Sequence, residues 1–343
     1  MGIGWILKPL AVASAVAFST LGVLSRSSQR ARLYFNATIF IATLGAASAW
    51  GVVISVLASL TGQRFNINYY GARSFYQICS PLIGVTCEVE GEEHIKKLLT
   101  ANNGKPQSAV IIGNHQSAFD ILYLGKILPK RSSIMAKKEL KWSPVLGQFM
   151  WLSGAVFIDR KNRKNALKTV QQAGDQMKKN GVSLWIFPEG TRASHAEPAL
   201  LPFKKGAFHL AVQAQIPIVP VVCENYHHLF DGRTRLDPGN LKVKVLPPIP
   251  TKGLTADDVN ELLEKTREQM LSTLREISTS AKAIEAPADE VVEEKFRPEA
   301  IIDSAPEKLL EPEAKASSPS TTEDEMEGDA VLLKRPNAGA VAQ

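Results

Sequence analysis

The sequence predicts an α/β protein with three parts. A membrane-embedded helical hairpin is predicted over residues 1–62, a layered αβα domain around a mostly parallel sheet over residues 63–280, and an acidic disordered tail over residues 281–343. Three observations predict this order. Long uncharged segments lie near the N terminus, short β-rich segments alternate with helical patterns in the middle, and Pro, Ser, Glu and Ala dominate the end. With 45% apolar residues among 343, the chain is large enough for one large domain or two ordinary ones.

Two uncharged segments predict the hairpin. Residues 37–60 are 24 residues without a charge, which at ~1.5 Å per residue can cross the ~30 Å hydrocarbon layer of a bilayer. Residues 9–25 are 17 uncharged residues, a marginal length for a span. We interpret the residues between the two segments as a short basic link, which contains Arg26, Arg30 and Arg32.

The topology of this hairpin is left open by its charges. Lys8, Arg64 and Arg73 lie at the opposite ends of the apolar segments and balance the three link arginines, so the positive-inside rule gives no orientation. A full span and a hairpin that returns within one leaflet both agree with the sequence. A cleaved signal peptide followed by a buried helix is the less favoured alternative, because its basic n-region would hold only Lys8.

The middle of the chain alternates between strand and helix patterns. A helix is predicted over residues 165–179 and ends at Asn180-Gly181, and a later helix begins after a capping box of Thr255 and Asp258 and reaches Met270. Strands are predicted at residues 85–89, 109–112, 133–136, 155–158, 183–187, 218–222 and 242–246.

The charge is distributed unevenly along the chain. Residues 281–343 hold 7 Lys and Arg against 15 Asp and Glu, a balance of −8, so the rest of the chain carries +14. The basic part is expected to prefer phosphate ligands or anionic lipid. Nucleic acid is not predicted as a partner, because no zinc finger, RRM or aromatic-rich basic strand set is present. No metal site is predicted, since Cys223, His227 and His228 alone do not make one.

The first candidate motif is the segment of residues 114–120. It follows an apolar strand and precedes a helix, and α/β folds place ligands in such loops. His115 can accept a proton from a hydroxyl at neutral pH, and Asp120 can hold its other ring nitrogen. This pair lacks a serine nucleophile, so the nucleophile could be the hydroxyl of a substrate. The alternative is structural, with Ser117 and Asp120 capping the helix and His115 simply solvated.

Three further segments follow in the chain. In residues 187–192, Gly190 allows the backbone to approach a ligand closely, and the guanidinium of Arg192 fits phosphate oxygens. Glu189 could hold Arg192 or bind a ligand hydroxyl. The alternative is a tight surface turn with an internal pair of Glu189 and Arg192. In residues 154–160, Arg160 begins a basic cluster that could hold a phosphate, rest on anionic lipid or be solvated. Residues 216–221 are interpreted as a buried strand.

Taken in order, these four segments resemble the signature blocks of the glycerolipid acyltransferase family, and within it are similar to 1-acyl-glycerol-3-phosphate acyltransferases, also called lysophosphatidic acid acyltransferases. The NHxxxxD block is matched by Asn114, His115 and Asp120, and the EGTR block by residues 189–192. The resemblance covers roughly residues 70–250. Family members often continue the second block with Ser, where this chain has Ala193.

The resemblance implies transfer of an acyl group from acyl-CoA to the sn-2 hydroxyl of lysophosphatidic acid, with no cofactor beyond that co-substrate. His115 would be the general base and Asp120 would orient it. Glu189, Gly190, Thr191 and Arg192 would hold the glycerol phosphate, with Arg160 and Lys137 as weaker phosphate contacts. A backbone N–H near Gly190 is a candidate donor to the oxyanion.

The resemblance also implies a membrane protein in contact with membrane lipid, and the long acidic tail favours the endoplasmic reticulum over a bacterial inner membrane. Alternatives within the family are glycerol 3-phosphate or another lysophospholipid as acceptor, and acyl-carrier protein as donor. A lipid hydrolase that uses the same His–Asp pair on water is a third alternative. A non-enzymatic membrane scaffold is an alternative from another class.

Overall fold

A computed structural model of the chain describes residues 4–100, 107–159 and 163–278. The predicted tail over residues 281–343 and Arg160 lie outside the described residues. Seven strands are present: β1 Val85–Glu90, β2 Val110–Gly113, β3 Ser132–Lys137, β4 Val156–Ile158, β5 Ser183–Ile186, β6 Ile218–Cys223 and β7 Gly239–Val245. The helices are α1 Gly4–Leu24, α2 Gln29–Leu60, α3 Ile67–Ile83, α4 Glu92–Thr100, α5 Asp120–Ile127, α6 Leu146–Leu152, α7 Arg163–Asn180, α8 Gly206–Ala214 and α9 Val259–Ile277.

The strands form one sheet in the order β1-β7-β6-β2-β5-β3-β4. Every neighbouring pair is parallel except β6 and β7. Each of the seven predicted strands is found, with ends that differ by a few residues at most, and the prediction of a mostly parallel sheet is confirmed. Because β2, β5 and β6 are parallel neighbours, their carboxyl ends open on the same edge of the sheet.

Helices cover both faces of the sheet. One face packs against α2, α3 and α5, with Phe75, Leu122 and Tyr123 in its core. The other face packs against α7, α8 and α9, with Phe208 and Met270 in its core. β2 and β6 are buried along their whole length, because helices lie above and below them. The prediction of an αβα layered domain is therefore confirmed.

The two later helices are found where the sequence predicts them, and both extend beyond the predicted ends. Thr255 and Asp258 form the predicted capping box ahead of α9, which continues beyond Met270 to Ile277. The helix predicted over residues 165–179 is α7, whose described inner side chains include the buried Ala173 and Met177.

The basic link of the hairpin is shorter than predicted. Residues 25–28 join α1 to α2, and Arg30 and Arg32 lie inside α2. The helix begins early because Ser28 caps it, its side chain accepting a hydrogen bond from the Ala31 N–H. Arg32 of α2 then forms an ion pair with Asp237 of the α/β domain, with 2.8 Å between Nη1 and Oδ1.

One face of α2 is buried along most of the helix. Its buried residues recur at spacings of three and four, which places them on one side. They include Phe40, whose ring contacts Phe75 of α3 and Phe119. Asn36 donates a hydrogen bond to the Leu236 carbonyl at 2.8 Å. α2 is the helix in the described part of the chain that is long and apolar enough to cross a membrane, yet it packs as part of the domain.

Candidate active site

The site forms where β2, β5 and β6 end. His115 follows β2, Phe187 follows β5, and Tyr226 follows β6. The His115 ring stacks on the Phe187 ring, with centroids 4.0 Å apart and planes at 15°. Asn114 ties two of these strand ends together, since its side chain donates to the Cys223 carbonyl at 2.8 Å and accepts from the Cys223 N–H at 2.9 Å.

His115 and Asp120 form the pair that the sequence predicts. The distance from Nδ1 of His115 to Oδ2 of Asp120 is 2.7 Å. The Asp120 side chain is 2% exposed and the His115 side chain is 18% exposed. Because Nδ1 is held by the carboxylate, Nε2 is the nitrogen available to a substrate. The arrangement suits a general base oriented by a buried acid.

Asp120 is held by more than the imidazole. Its Oδ2 also accepts hydrogen bonds from the backbone N–H groups of Gln116 at 2.9 Å and Ser117 at 3.3 Å. Its Oδ1 accepts one from the Tyr226 hydroxyl at 2.5 Å. Ser117 and Asp120 also keep part of the alternative capping arrangement, because the Ser117 N–H donates to Asp120 Oδ2 and the Ser117 Oγ accepts from the Phe119 N–H at 3.0 Å. Capping of the helix start and the contact with His115 therefore occur together.

Tyr226 is suited to remain a donor. Burial and the neighbouring Asp120 charge raise the pKa of Tyr226 well above its ordinary value. Its hydroxyl therefore stays protonated and lies 2.8 Å from the Ser117 Oγ as well as against Asp120. The order Tyr226, Asp120, His115 is a chain of hydrogen bonds that ends at the ring facing the cavity.

The Glu189 side chain bonds to the main chain around His115. It is buried, and its two carboxylate oxygens accept backbone N–H bonds from His115 at 2.8 Å and Leu201 at 3.0 Å. Burial raises the pKa of Glu189, and these two bonds oppose the rise. The His115 carbonyl accepts from the Ala193 N–H at 3.0 Å. Glu189 therefore holds the main chain of His115, and its predicted part in binding the glycerol phosphate stays a prediction.

The rest of the EGTR segment faces outward. Gly190 has φ of 72°, which a side chain would strain, and the Lys204 side chain lies against it. The Gly190 N–H itself donates to the Phe187 carbonyl at 3.1 Å, and an oxyanion donor among the backbone N–H groups near Gly190 stays a prediction. Thr191 and Arg192 are exposed and line the same cavity as His115.

A cavity of about 580 Å³ runs from His115 into the protein. Thr191, Arg192 and Lys137 line it together with His115, so the structure brings these predicted residues to one site. The remaining lining is largely apolar and comes from α2, α3, β3 and α6, with Ala47, Phe75, Ile134, Leu146, Phe149 and Met150 among its members. The site thus joins a polar mouth to an apolar interior.

The chain is similar to known acyltransferases. A family model described as Acyltransferase matches residues 86–224. An uncharacterized acyltransferase of Schizosaccharomyces pombe is 43% identical over 250 residues, which cover 73% of this chain and 86% of that protein.

The chain belongs to the acyltransferase family.

Other relatives of this acyltransferase carry more specific names. The 1-acyl-sn-glycerol-3-phosphate acyltransferase of Saccharomyces cerevisiae is 42% identical, over 72% of this chain and 79% of that protein. The human 1-acyl-sn-glycerol-3-phosphate acyltransferase alpha is 42% identical, over 59% of this chain and 68% of that protein. The crystal structure of PlsC, the 1-acyl-sn-glycerophosphate acyltransferase of Thermotoga maritima, superposes with a TM-score of 0.54 at 25% identity, covering 71% of this chain and 93% of that chain.

Sequence reasoning missed two residues of the acyltransferase site. Tyr226 follows β6 and is 106 residues from Asp120, whereas Lys204 precedes α8 and lies against Gly190 of the second motif. The signal for Tyr226 was its position just beyond a buried strand, at the same sheet edge as His115. The signal for Lys204 was the adjacent pair Lys204-Lys205 directly before a helix, which is a favourable place for an anion.

Proposed function

We propose that this acyltransferase transfers an acyl group from acyl-CoA to the sn-2 hydroxyl of lysophosphatidic acid, forming phosphatidic acid. The observation that carries the proposal is the His115–Asp120 pair at 2.7 Å, placed at the mouth of an apolar cavity beside Arg192. The names of the yeast and human relatives support lysophosphatidic acid as acceptor.

The reaction needs one base and no covalent intermediate on the enzyme. Nε2 of His115 takes the proton of the acceptor hydroxyl as its oxygen bonds to the thioester carbonyl carbon. The tetrahedral intermediate then expels the CoA thiolate, which takes the proton from the imidazolium and leaves as the thiol. Asp120 stabilises the imidazolium between these two steps. General-base help of this kind contributes about 10²–10⁴-fold, and positioning of the two substrates must supply much of the remainder.

The cavity suits the two ends of such substrates. Its apolar interior can hold an acyl chain, since each buried CH₂ gains about 0.8 kcal/mol. Arg192 at the mouth can contact phosphate oxygens with its planar guanidinium, and Lys137 and Lys204 add positive charge nearby. We assign these three cations to the phosphate-bearing end and the interior to the chain.

The packing of α2 supports placement in one leaflet. The helix is about 48 Å long at 1.5 Å per residue, enough to cross a bilayer. Its buried face nevertheless lies on the α/β domain from Leu33 to Ala58. A transbilayer α2 would carry the charged surface of that domain into hydrocarbon, at a high cost. We therefore propose that α1 and α2 lie in one leaflet of the endoplasmic reticulum membrane. The boundaries of the three predicted parts of the chain, at residues 62 and 280, stay a prediction.

The test uses purified full-length protein in detergent with labelled oleoyl-CoA, with and without lysophosphatidic acid. We expect phosphatidic acid from the unmutated protein and none from His115→Ala, with a similar melting temperature for both. Near wild-type turnover by His115→Ala would refute the mechanism. CoA release without an acceptor would indicate a hydrolase, and turnover only with glycerol 3-phosphate or another lysophospholipid would change the acceptor. Inactivity with a panel of donors and acceptors would favour the scaffold alternative.

A further inference from the structure

Large apolar side chains are exposed between β3 and β4. Residues 138–152, here called the 138–152 segment, comprise a 3₁₀ turn, a tight turn and α6. Trp142 is 78% exposed and Trp151 is 60% exposed, and Val145 and Leu152 are exposed beside them in the sequence. Two tryptophans and two aliphatic residues on one short segment are more than the isolated surface apolar residues of a soluble protein, and such clusters mark interaction surfaces.

The backbone of the tight turn is unusual. Val145 has φ of 62° and ψ of −53°, and the Leu146 N–H donates to the Pro144 carbonyl at 2.6 Å, which closes a γ-turn. This conformation is rare and costly for a β-branched residue. The turn keeps the Val145 side chain outside the core. Val145 lies shortly after Trp142, the exposed last residue of the 3₁₀ turn.

The other side of the 138–152 segment faces the cavity. Leu140, Leu146, Phe149 and Met150 line the cavity that reaches His115. The Phe149 ring fills the space beside Gly51 of α2 and Gly71 of α3, where a Cβ on either glycine would overlap it. The segment is therefore a thin wall that is apolar on the side of the cavity, while its outside exposes the two tryptophans among the charged residues Lys138, Glu139 and Lys141.

The 138–152 segment packs on α2 beside exposed apolar side chains of that helix. Phe149 rests on Gly51, and Trp50 and Val53, one residue before and two residues after Gly51, are exposed on α2. The segment also carries exposed lysines, and the Lys141 Nζ lies 6.0 Å from the Trp142 ring centroid. Tryptophan beside lysine is the composition of a membrane–water boundary, where the ring sits at headgroup depth and the cation meets lipid phosphate.

We propose that the 138–152 segment inserts into the bilayer interface beside α1 and α2, with Trp142, Val145 and Trp151 in contact with lipid. The occupant of this surface is the lipid bilayer, because the segment packs on α2 beside exposed apolar side chains of that helix and pairs aromatic rings with positive charge. Under the proposed function, the segment would be the wall between the bilayer and the acyl-chain cavity. The membrane contact itself stands without that function.

The experiment uses the full chain in phosphatidylcholine vesicles that contain a minor fraction of phosphatidic acid. Trp142→Cys and Val145→Cys variants are labelled with the environment-sensitive fluorophore NBD. The native cysteines Cys79, Cys87 and Cys223 are buried, and burial raises the pKa of the Cys79 and Cys87 thiols to about 12, so they react slowly. Unmutated protein taken through the same labelling measures any background.

Two control positions bracket the result. Val53→Cys reports from the exposed face of α2, and Glu264→Cys reports from an exposed position on α9. We expect a blue shift and quenching by nitroxide-labelled lipid at residues 142 and 145, as strong as at residue 53, with neither at residue 264. The readout is fluorescence, so failure of the proposed reaction would not affect it.

Two outcomes would overturn the proposal. Emission at residues 142 and 145 that matches residue 264 would show that the segment faces water. A blue shift without quenching by nitroxide lipid would show that protein covers the surface, either a second copy of the chain or another protein.

Discussion

Replacing Tyr226 by Phe tests whether the buried hydroxyl supports the His115–Asp120 pair. The change removes one oxygen and leaves the ring, which packs edge-on against Phe119 with centroids 5.7 Å apart. It deletes the 2.5 Å hydrogen bond to Oδ1 of Asp120 and leaves that oxygen buried. The core is otherwise unchanged in shape, so the variant is expected to fold.

The size of the effect follows from the strength of that bond. A hydrogen bond to an ionised group contributes roughly 1.5–3 kcal/mol, and about 1.4 kcal/mol corresponds to tenfold in rate. The bond exists in the free enzyme as well, so only the part of its strength that orients Asp120 towards the forming imidazolium is lost from the transition state. Because only part of the bond strength is lost, we expect kcat/KM for Tyr226→Phe to fall about tenfold, mainly through a lower kcat.

The assay is acyl transfer from labelled oleoyl-CoA to lysophosphatidic acid, with each substrate varied in turn and melting temperature measured beside it. Ser117→Ala is the matched control, because it removes the other hydroxyl partner of Tyr226 and leaves the bond to Asp120. A kcat within twofold of wild type in Tyr226→Phe, beside an inactive His115→Ala, would refute a supporting role for Tyr226. An equal loss in Ser117→Ala would assign the effect to the loop rather than to the bond.

Three further predictions follow from the site and its surroundings. Phe149→Ala should open space beside Gly51 and Gly71 and raise the kcat/KM ratio of long to medium acyl-CoA, and an unchanged ratio would place the chain elsewhere. Arg192→Ala should raise the KM for lysophosphatidic acid and leave the KM for acyl-CoA, and equal changes in both would contradict the phosphate assignment. Burial raises the pKa of Glu224 to about 7, so its contribution to stability is present at low pH and is lost as the pH rises towards 7. Between about pH 4.5 and pH 7, the free energy of unfolding of the wild type should fall by about 3 kcal/mol relative to that of Glu224→Gln, and its melting temperature should fall with it. Melting temperatures of the two proteins that change in parallel with pH would refute this.

Much of the fold could be predicted from local patterns. β-rich segments of four or five residues between helical periodicities predicted all seven strands, because alternation and helix caps are properties of neighbouring residues. The pairing of His115 with Asp120 was also predicted, since a separation of five residues across a strand-to-helix loop brings them within reach. The start of α2 was missed because its N-cap, Ser28, lies among charged residues that were interpreted as a link.

The sequence by itself determined the order of the elements, the pairing of His115 with Asp120, and the apolar character of the N-terminal helices. The tertiary structure alone decided that Glu189 holds the His115 main chain, that Tyr226 donates to Asp120 and that α2 packs on the domain. The physical reason is distance along the chain. Tyr226 and Asp120 are 106 residues apart, and only the parallel pairing of β2 with β6 brings their loops to one edge of the sheet. In the sequence, a glutamate whose buried carboxylate accepts backbone N–H bonds cannot be told from a glutamate that binds substrate. The surroundings of Glu189 in the fold show which groups its carboxylate contacts.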